Sequence, residues 1–105
     1  MKNLDPKYEA LFEPWKIGNV EIKNRIVMCP MGGTSLFGWF ELGGCHFDKE
    51  AAKLFLERAN NNVGLIIPGI APLRDTFWGK WLWQNPKMFE ELKEFMDEIH
   101  KTGAK

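Results

Sequence analysis

Two short apolar runs stand out in this chain. Residues 25–29 carry Ile-Val-Met-Cys after an arginine, and residues 63–67 read Val-Gly-Leu-Ile-Ile. Neither run alternates apolar with polar residues as a strand with one solvent-facing side does, so both predict strands buried on both faces. Pro30 and Pro68 follow these runs, and proline lacks the N–H that would continue a strand ladder. We therefore predict two buried parallel strands, each ending at a proline turn.

An amphipathic segment follows each predicted strand. In the first, Asp48 is a suitable N-cap, and the asparagines at 60–62 suit the left-handed conformation that ends a helix. In the second, Asn85 and Pro86 form a start signal and Gly103 forms a stop signal. Apolar residues recur at helical spacing and predict one buried stripe for each helix. The stripes are Ala51, Leu54, Phe55 and Ala59 in the first helix, and Phe89, Leu92, Phe95 or Met96, and Ile99 in the second.

Residues 15–22 predict a β-hairpin ahead of the first strand. The runs Trp-Lys-Ile and Val-Glu-Ile flank Gly18 and Asn19, a pair that favours a two-residue type II′ turn with glycine first. The predicted order is hairpin, strand, helix, strand, helix, with a long loop after each strand. Such alternation predicts an α/β fold with parallel strands and right-handed crossovers. In folds of this kind, function lies in the loops that follow the strands.

The composition narrows the classes of function. The 105 residues provide one domain at most, and the formal net charge is zero, so neither nucleic acid nor an anionic membrane is an expected partner. No apolar run approaches the roughly 20 residues of a membrane span, and the N-terminus has no apolar signal core, which favours a cytoplasmic protein. Cys29 lies in a predicted buried strand and is expected to be a packed free thiol rather than a disulfide partner of Cys45.

Two strands and two helices do not close a hydrophobic core. A fully buried strand needs neighbours on both sides, and an isolated two-stranded sheet is only marginally stable. A third strand is expected to begin after Gly103, just beyond the second helix. We therefore expect the chain to be a fragment of a larger α/β protein, or a subunit that another chain completes.

Four short motifs have a chemical interpretation beside a structural one. The Pro-Met-Gly-Gly run at 30–33 could form a cofactor wall or simply a turn that ends the strand. The segment at 78–83, with three tryptophans, could cover a flat substrate or pack against the rest of the protein. Arg-Asp at 74–75 could bind a phosphate, although a surface ion pair is the commoner arrangement. Cys-His at 45–46 has no second ligand pair at zinc-like spacing, so no metal site is expected.

Five motifs along the chain form a coherent set. They are Leu-Phe-Glu-Pro at 11–14, Lys-Ile-Gly-Asn at 16–19, Lys-Asn-Arg-Ile-Val-Met at 23–28 with Pro-Met at 30–31, Glu-Arg-Ala at 57–59, and the apolar run at 63–67. Together they resemble the start of the Old Yellow Enzyme family of NADH:flavin oxidoreductases. Gly-Ile-Ala-Pro at 69–72 is similar to the 2,4-dienoyl-CoA reductase branch, as is the enoate reductase-like opening. The resemblance covers nearly all of the chain but only the first part of the family's barrel.

The resemblance implies a fold and a reaction. The fold is an FMN-binding (β/α)8 TIM barrel, incomplete in this chain. Residues 1–24 would supply the N-terminal segment and barrel-plugging hairpin, and residues 25–105 the first two βα units. The reaction is ene reduction: NADH or NADPH reduces FMN, and the flavin passes hydride to an activated C=C bond of a small molecule. The cofactor-binding residues that the resemblance implies are Pro30, Met31, Gly32, Gly69 and Ile70; it implies no catalytic residue in this chain.

Other parts of the family's site fall outside these 105 residues. The resemblance places the flavin-binding glutamine, the substrate-binding histidine pair, the proton-donor tyrosine and the phosphate-binding arginine beyond Lys105, with any 4Fe-4S or FAD site. Gly32 also stands where many relatives carry threonine or cysteine, whose side chain tunes the flavin potential. The chain alone is therefore expected to be inactive and to need the rest of the barrel or another chain. The alternative is a non-catalytic α/β remnant that oligomerises through its exposed strand edges.

Overall fold

A computed structural model describes residues 4–31, 47–68 and 86–105. The elements in chain order are a 3₁₀ helix (Pro6–Phe12), β1 (Trp15–Ile17), β2 (Val20–Ile22), β3 (Val27–Met28), α1 (Lys49–Asn60), β4 (Leu65–Ile66) and α2 (Pro86–Lys101). Strands β1 and β2 form an antiparallel hairpin, and β3 and β4 form a separate parallel pair. The predicted order of hairpin, strand, helix, strand and helix is confirmed.

The hairpin has the predicted two-residue turn. Trp15 pairs with Ile22 and Ile17 with Val20, which leaves Gly18 and Asn19 in the loop. Gly18 has a φ of +57°, and within the described ranges Asn62 is the only non-glycine residue with positive φ. A positive φ at the first loop position alone is the signature of a type II′ turn. The predicted turn type is therefore confirmed.

The parallel pair is short and only half-buried. Val27 is in register with Leu65, and Met28 with Ile66. Met28 and Ile66 pack against the helical core, so alternation along each strand places Val27 and Leu65 on the face that the helices leave uncovered. The prediction of strands buried on both faces is wrong for this chain, because α1 and α2 cover a single face of the pair. Cys29 is exposed, so its expected packing in the core is also wrong.

Lys105 makes a parallel-type pair of hydrogen bonds with β4, on the side that faces away from β3. Its N–H donates to the carbonyl of Gly64 over 3.0 Å, and its own carbonyl accepts from the N–H of Ile66 over 2.8 Å. One residue that bonds to both neighbours of its partner is the parallel ladder pattern, so Lys105 is in register with Leu65. The segments β3, β4 and Lys105 therefore lie side by side in the order of the chain, as is usual for successive βα units.

The helix ends follow the predicted signals. Asp48 caps α1, and its Oδ1 accepts from the N–H groups of Glu50 and Ala51 at 2.9 and 3.1 Å. Asn62 has a φ of +74° just after α1, and Gly103 has a φ of +86° just after α2. These left-handed positions release the chain from each helix. Pro86 is the first residue of α2, whereas the predicted cap Asn85 lies outside the described residues.

The Asp48→Ala variant is expected to lose about 1 kcal/mol of the free energy of unfolding, because two N–H groups at the start of α1 lose their acceptor. Urea denaturation followed by far-UV circular dichroism measures this change. Asp48→Asn is the matched control, since it keeps an acceptor oxygen and should lose less than half as much. Equal losses in the two variants would show that the cap does not act through this oxygen.

The core lies between the two helices and one face of the parallel pair. Its fully buried members are Ala52, Phe55, Ala59, Phe95, Ile99 and Ala104. The ring of Phe95 packs edge-on against Phe55, with centroids 6.5 Å apart, and lies 5.4 Å from the ring of Phe47. Aromatic pairs at these distances add directional attraction to apolar burial.

The predicted stripes are confirmed along most of each helix and wrong at the first position. In α1 Phe55 and Ala59 are buried as predicted, but Ala52 is buried in place of Ala51, which is half-buried. In α2 Phe95 and Ile99 are buried as predicted, but Met88 is buried in place of Phe89, which is 53% exposed. The sequence offers adjacent apolar residues at these points, so its periodicity fits two rotations of each helix, and tertiary packing selects one. In the described parts of the chain, no helix combines the length and apolarity needed to cross a bilayer.

Candidate functional site

The carboxyl ends of β3 and β4 lie side by side. The N–H of Ile67 donates to the carbonyl of Met28 over 3.0 Å, the last hydrogen bond between the two segments within the described ranges. Pro30 and Met31 follow at the same edge and are exposed. The edge beyond the carboxyl ends of parallel strands is where α/β folds place ligands. Two of the predicted cofactor-binding residues, Pro30 and Met31, therefore stand where a ligand of such a fold would bind.

The exposed side chains at this edge are mainly apolar. Met31 is 48% exposed and Ile67 is 42% exposed, and Cys29, two residues before Met31, is also exposed. Strand alternation places Cys29 and Ile67 on the face that the helices do not cover. Large apolar side chains left open to solvent at a strand edge suit a flat, largely apolar ring better than a strongly charged ligand.

Three of the five predicted cofactor-binding residues, Gly32, Gly69 and Ile70, lie outside the described residues. So do Cys45 and His46, and the segments at 74–75 and 78–83 that have alternative interpretations. Across residues 4–31, 47–68 and 86–105, no three His, Cys, Asp or Glu side chains come together in a group that could hold a metal ion.

Asn24 anchors the opposite, amino-terminal end of β3. Its side chain is 2% exposed, and both ends of its amide have partners. Nδ2 donates to the carbonyl of Asn62 over 2.7 Å, and Oδ1 accepts from the N–H of Ile26 over 3.0 Å. One buried side chain therefore ties the start of β3 to the turn that leads into β4. A buried amide that keeps its hydrogen bonds avoids the desolvation penalty of an unpaired polar group.

Gly64 leaves the space that Asn24 fills. A Cβ built at position 64 would overlap Oδ1 of Asn24 and lie 3.0 Å from its carbonyl oxygen. That carbonyl also accepts a 2.6 Å hydrogen bond from Nε1 of Trp15 on β1. The contact thus joins β1, the start of β3 and the start of β4. Sequence reasoning missed this arrangement, although a glycine inside a strand is a known sign of close approach by another chain segment.

A second contact ties the hairpin to the end of α2. Nζ of Lys23 donates to the carbonyl of Thr102 over 3.0 Å. A positive group near the carboxyl end of a helix is favoured by the partial negative charge of its unpaired carbonyls. Lys23 and Asn24 therefore hold the segment between the hairpin and β3 against both α2 and the turn before β4.

A groove of about 270 Å³ lies between α1 and α2, away from the strand ends. Apolar residues such as Phe47, Leu56 and Phe95 line it, with lysines on the α1 side and glutamates on the α2 side. Of the predicted cofactor-binding residues that the structure describes, neither Pro30 nor Met31 lines this groove. The volume of a cavity does not identify a functional site. The strand ends are the better candidate site, because the topology of the fold brings them together.

Comparison with known proteins identifies the family. Residues 10–105 match the model of the NADH:flavin oxidoreductase / NADH oxidase family. A cinnamate reductase from Clostridium sporogenes is 41% identical over 94% of this chain and 15% of its own length. A bilirubin reductase from Clostridium symbiosum is 31% identical over 93% of this chain and 23% of its own length. The chain thus spans less than a quarter of either relative. The resemblance carried by the sequence motifs is confirmed: this chain belongs to the NADH:flavin oxidoreductase / NADH oxidase family.

Proposed function

We propose that this chain forms the first two βα units of an FMN-binding (β/α)8 barrel and supplies one wall of its flavin site. The single observation that carries the proposal is the juxtaposed carboxyl ends of β3 and β4, joined by the hydrogen bond from Ile67 to Met28. The chain-order sheet, extended by Lys105, has the strand order that such a barrel needs. Membership of the flavin oxidoreductase family supports FMN as the cofactor.

The cofactor wall comprises five residues in this proposal: Pro30, Met31, Gly32, Gly69 and Ile70. Met31 and Ile67 offer apolar surface at the edge where the first of these residues lie. Burying this surface against a flat ring removes it from water at about 25 cal/mol per Å². The residues of this chain would therefore bind and orient the ring, and exclude water from one side of it.

The parent reaction in this proposal is ene reduction. Bound FMN supplies transfer of hydride from NADH or NADPH to an activated C=C bond. The name cinnamate reductase supports this class, because cinnamate carries a C=C bond conjugated to a carboxylate. The substrate side of the site, including the proton donor, would be supplied by other parts of the barrel. The 105-residue chain alone is accordingly proposed to bind flavin weakly and to be inactive as a reductase.

The Met31→Glu variant is expected to weaken FMN binding at least tenfold, because it places a carboxylate against the proposed apolar ring surface and beside the anionic cofactor. Titration of the 105-residue chain with FMN, followed by quenching of flavin fluorescence, measures the affinity. Met96→Glu is the matched control, since Met96 is exposed to a similar degree but lies on α2 rather than at the strand ends.

The control variant should bind FMN within about twofold of the wild-type chain, a change of roughly 0.4 kcal/mol. Equal weakening by both substitutions would indicate that the added negative charge repels the anionic cofactor wherever it is placed. This result would contradict a flavin wall at Met31. Circular dichroism of all three proteins confirms that the variants remain folded.

A further inference from the structure

Asn24 and the proposed flavin wall lie at opposite ends of the same short strand. Strand β3 spans only Val27–Met28, so few ladder hydrogen bonds define its register against β4. A slip by one residue would turn every side chain of β3 to the other face of the sheet. Such a slip would carry Met28 out of the helical core and move Met31 relative to the end of β4.

Asn24 opposes this slip through contacts with the segments that precede both strands. Oδ1 accepts a hydrogen bond from the N–H of Ile26, in the segment that enters β3. Nδ2 donates a hydrogen bond to the carbonyl of Asn62, in the segment that enters β4. The close approach to Gly64 fits only when Asn24 stands opposite that residue. The side-chain amide of Asn24 can therefore make all of these contacts in only one register of β3 against β4.

We infer that Asn24 is a positioning residue for the flavin wall: it sets the register of β3, and through it the placement of Pro30 and Met31. The flavin part of this inference rests on the proposed function. The structural part stands on the hydrogen bonds alone, so the two can be tested separately.

Native-state amide hydrogen exchange of the wild-type chain tests the structural part first. The N–H of Ile26 reports the bond to Asn24, and the N–H of Ile67 reports the last bond at the other end of the strand pair. We expect both amides to exchange through one opening reaction, with equal protection and equal dependence on urea. Exchange of Ile67 at least tenfold faster than Ile26, with no shared urea dependence, would overturn the inference.

Two variants then separate positioning from packing. Asn24→Ala removes the amide, and Asn24→Ala/Gly64→Ala refills part of its space with a methyl group without restoring either hydrogen bond. In both variants we expect the exchange rate of the Ile67 amide to rise at least tenfold more than that of the Phe95 amide in α2. We also expect the loss of FMN affinity to exceed the change at the Phe95 amide by at least tenfold. Wild-type Ile67 exchange and wild-type FMN affinity in the double variant would overturn the inference, since packing alone would then suffice.

The two parts fail in different ways. A wild-type chain that binds no FMN would contradict the proposed function, and the exchange rates of Ile26 and Ile67 would still support or overturn the role of Asn24 in the strand register. If Asn24→Ala does not fold, the double variant and the exchange experiment on the wild-type chain still test the role of Asn24 in the strand register.

Discussion

The Gly64→Ala variant is expected to lose about 3 kcal/mol of the free energy of unfolding. The added Cβ would overlap Oδ1 of Asn24 and press on its carbonyl oxygen at 3.0 Å. Neither group can retreat cheaply, because the amide is bonded to Ile26 and Asn62 and the carbonyl belongs to the backbone. The clash therefore forces Asn24 to move and leaves buried polar groups without partners. Urea denaturation monitored by circular dichroism measures the loss.

Gly18→Ala is the matched control for Gly64→Ala. Gly18 has a positive φ of +57°, and no heavy atom lies within 4 Å of the place that an added methyl group would take, so its substitution adds backbone strain without a clash. Its expected cost is about 1 kcal/mol. Removing Asn24 should also lower the cost of Gly64→Ala, because the blocking amide is then absent. An unchanged cost in the Asn24→Ala background would contradict the contact between these residues.

The Phe55→Ala variant is expected to lose about 3 to 5 kcal/mol of the free energy of unfolding. Phe55 is 1% exposed in the centre of α1 and packs edge-on against Phe95 in α2. Truncation would leave a cavity between the helices that the surrounding backbone cannot fill. A loss of this size is a large part of the stability of a small domain. Urea denaturation of the purified chain, with circular dichroism as the probe, measures it.

Phe89→Ala provides the control for Phe55→Ala. The same ring is removed, but Phe89 is largely exposed on α2. Its expected change is within about 0.5 kcal/mol. Similar losses at the two positions would contradict the rotation of α2 that buries Met88 and Phe95 and leaves Phe89 in solvent.

Local signals in the sequence were sufficient to predict the hairpin turn and the helix ends. Gly18 and Asn19 specify the hairpin turn through the backbone freedom of glycine. Asp48 caps α1 with an oxygen that reaches only the next few N–H groups. These features depend on residues within one turn of each other, so composition and order determine them without knowledge of the rest of the fold.

Long-range features were harder to predict. The contact between Asn24 and Gly64 joins segments that are distant in the sequence, and a glycine in an apolar run signals a close approach without indicating which residue makes it. The choice between Ala51 and Ala52, or Phe89 and Met88, depends on which face meets the sheet. The burial of β3 and β4 was overestimated. An apolar run shows that a strand can be buried on both faces, whereas its actual burial depends on which surfaces pack against it.

The candidate site was predicted in part, and by two kinds of reasoning. The proline after each apolar run located the strand ends from residue chemistry alone. The family resemblance then assigned a flavin to that edge, and the family is confirmed by the match over residues 10–105. Pro30 and Met31 lie at the expected edge, while the roles of all five proposed cofactor-binding residues remain predictions.

The most direct test of the flavin wall is two-dimensional amide NMR of the ¹⁵N-labelled chain during titration with FMN, which detects weak binding and locates it. We expect saturable shifts at the amides of Cys29, Met31 and Ile67, with little change at Val20 in the hairpin or at Lys53 in α1. Shifts confined to the hairpin or to the groove between α1 and α2, or no saturable shift at all, would contradict a flavin wall at the carboxyl ends of β3 and β4.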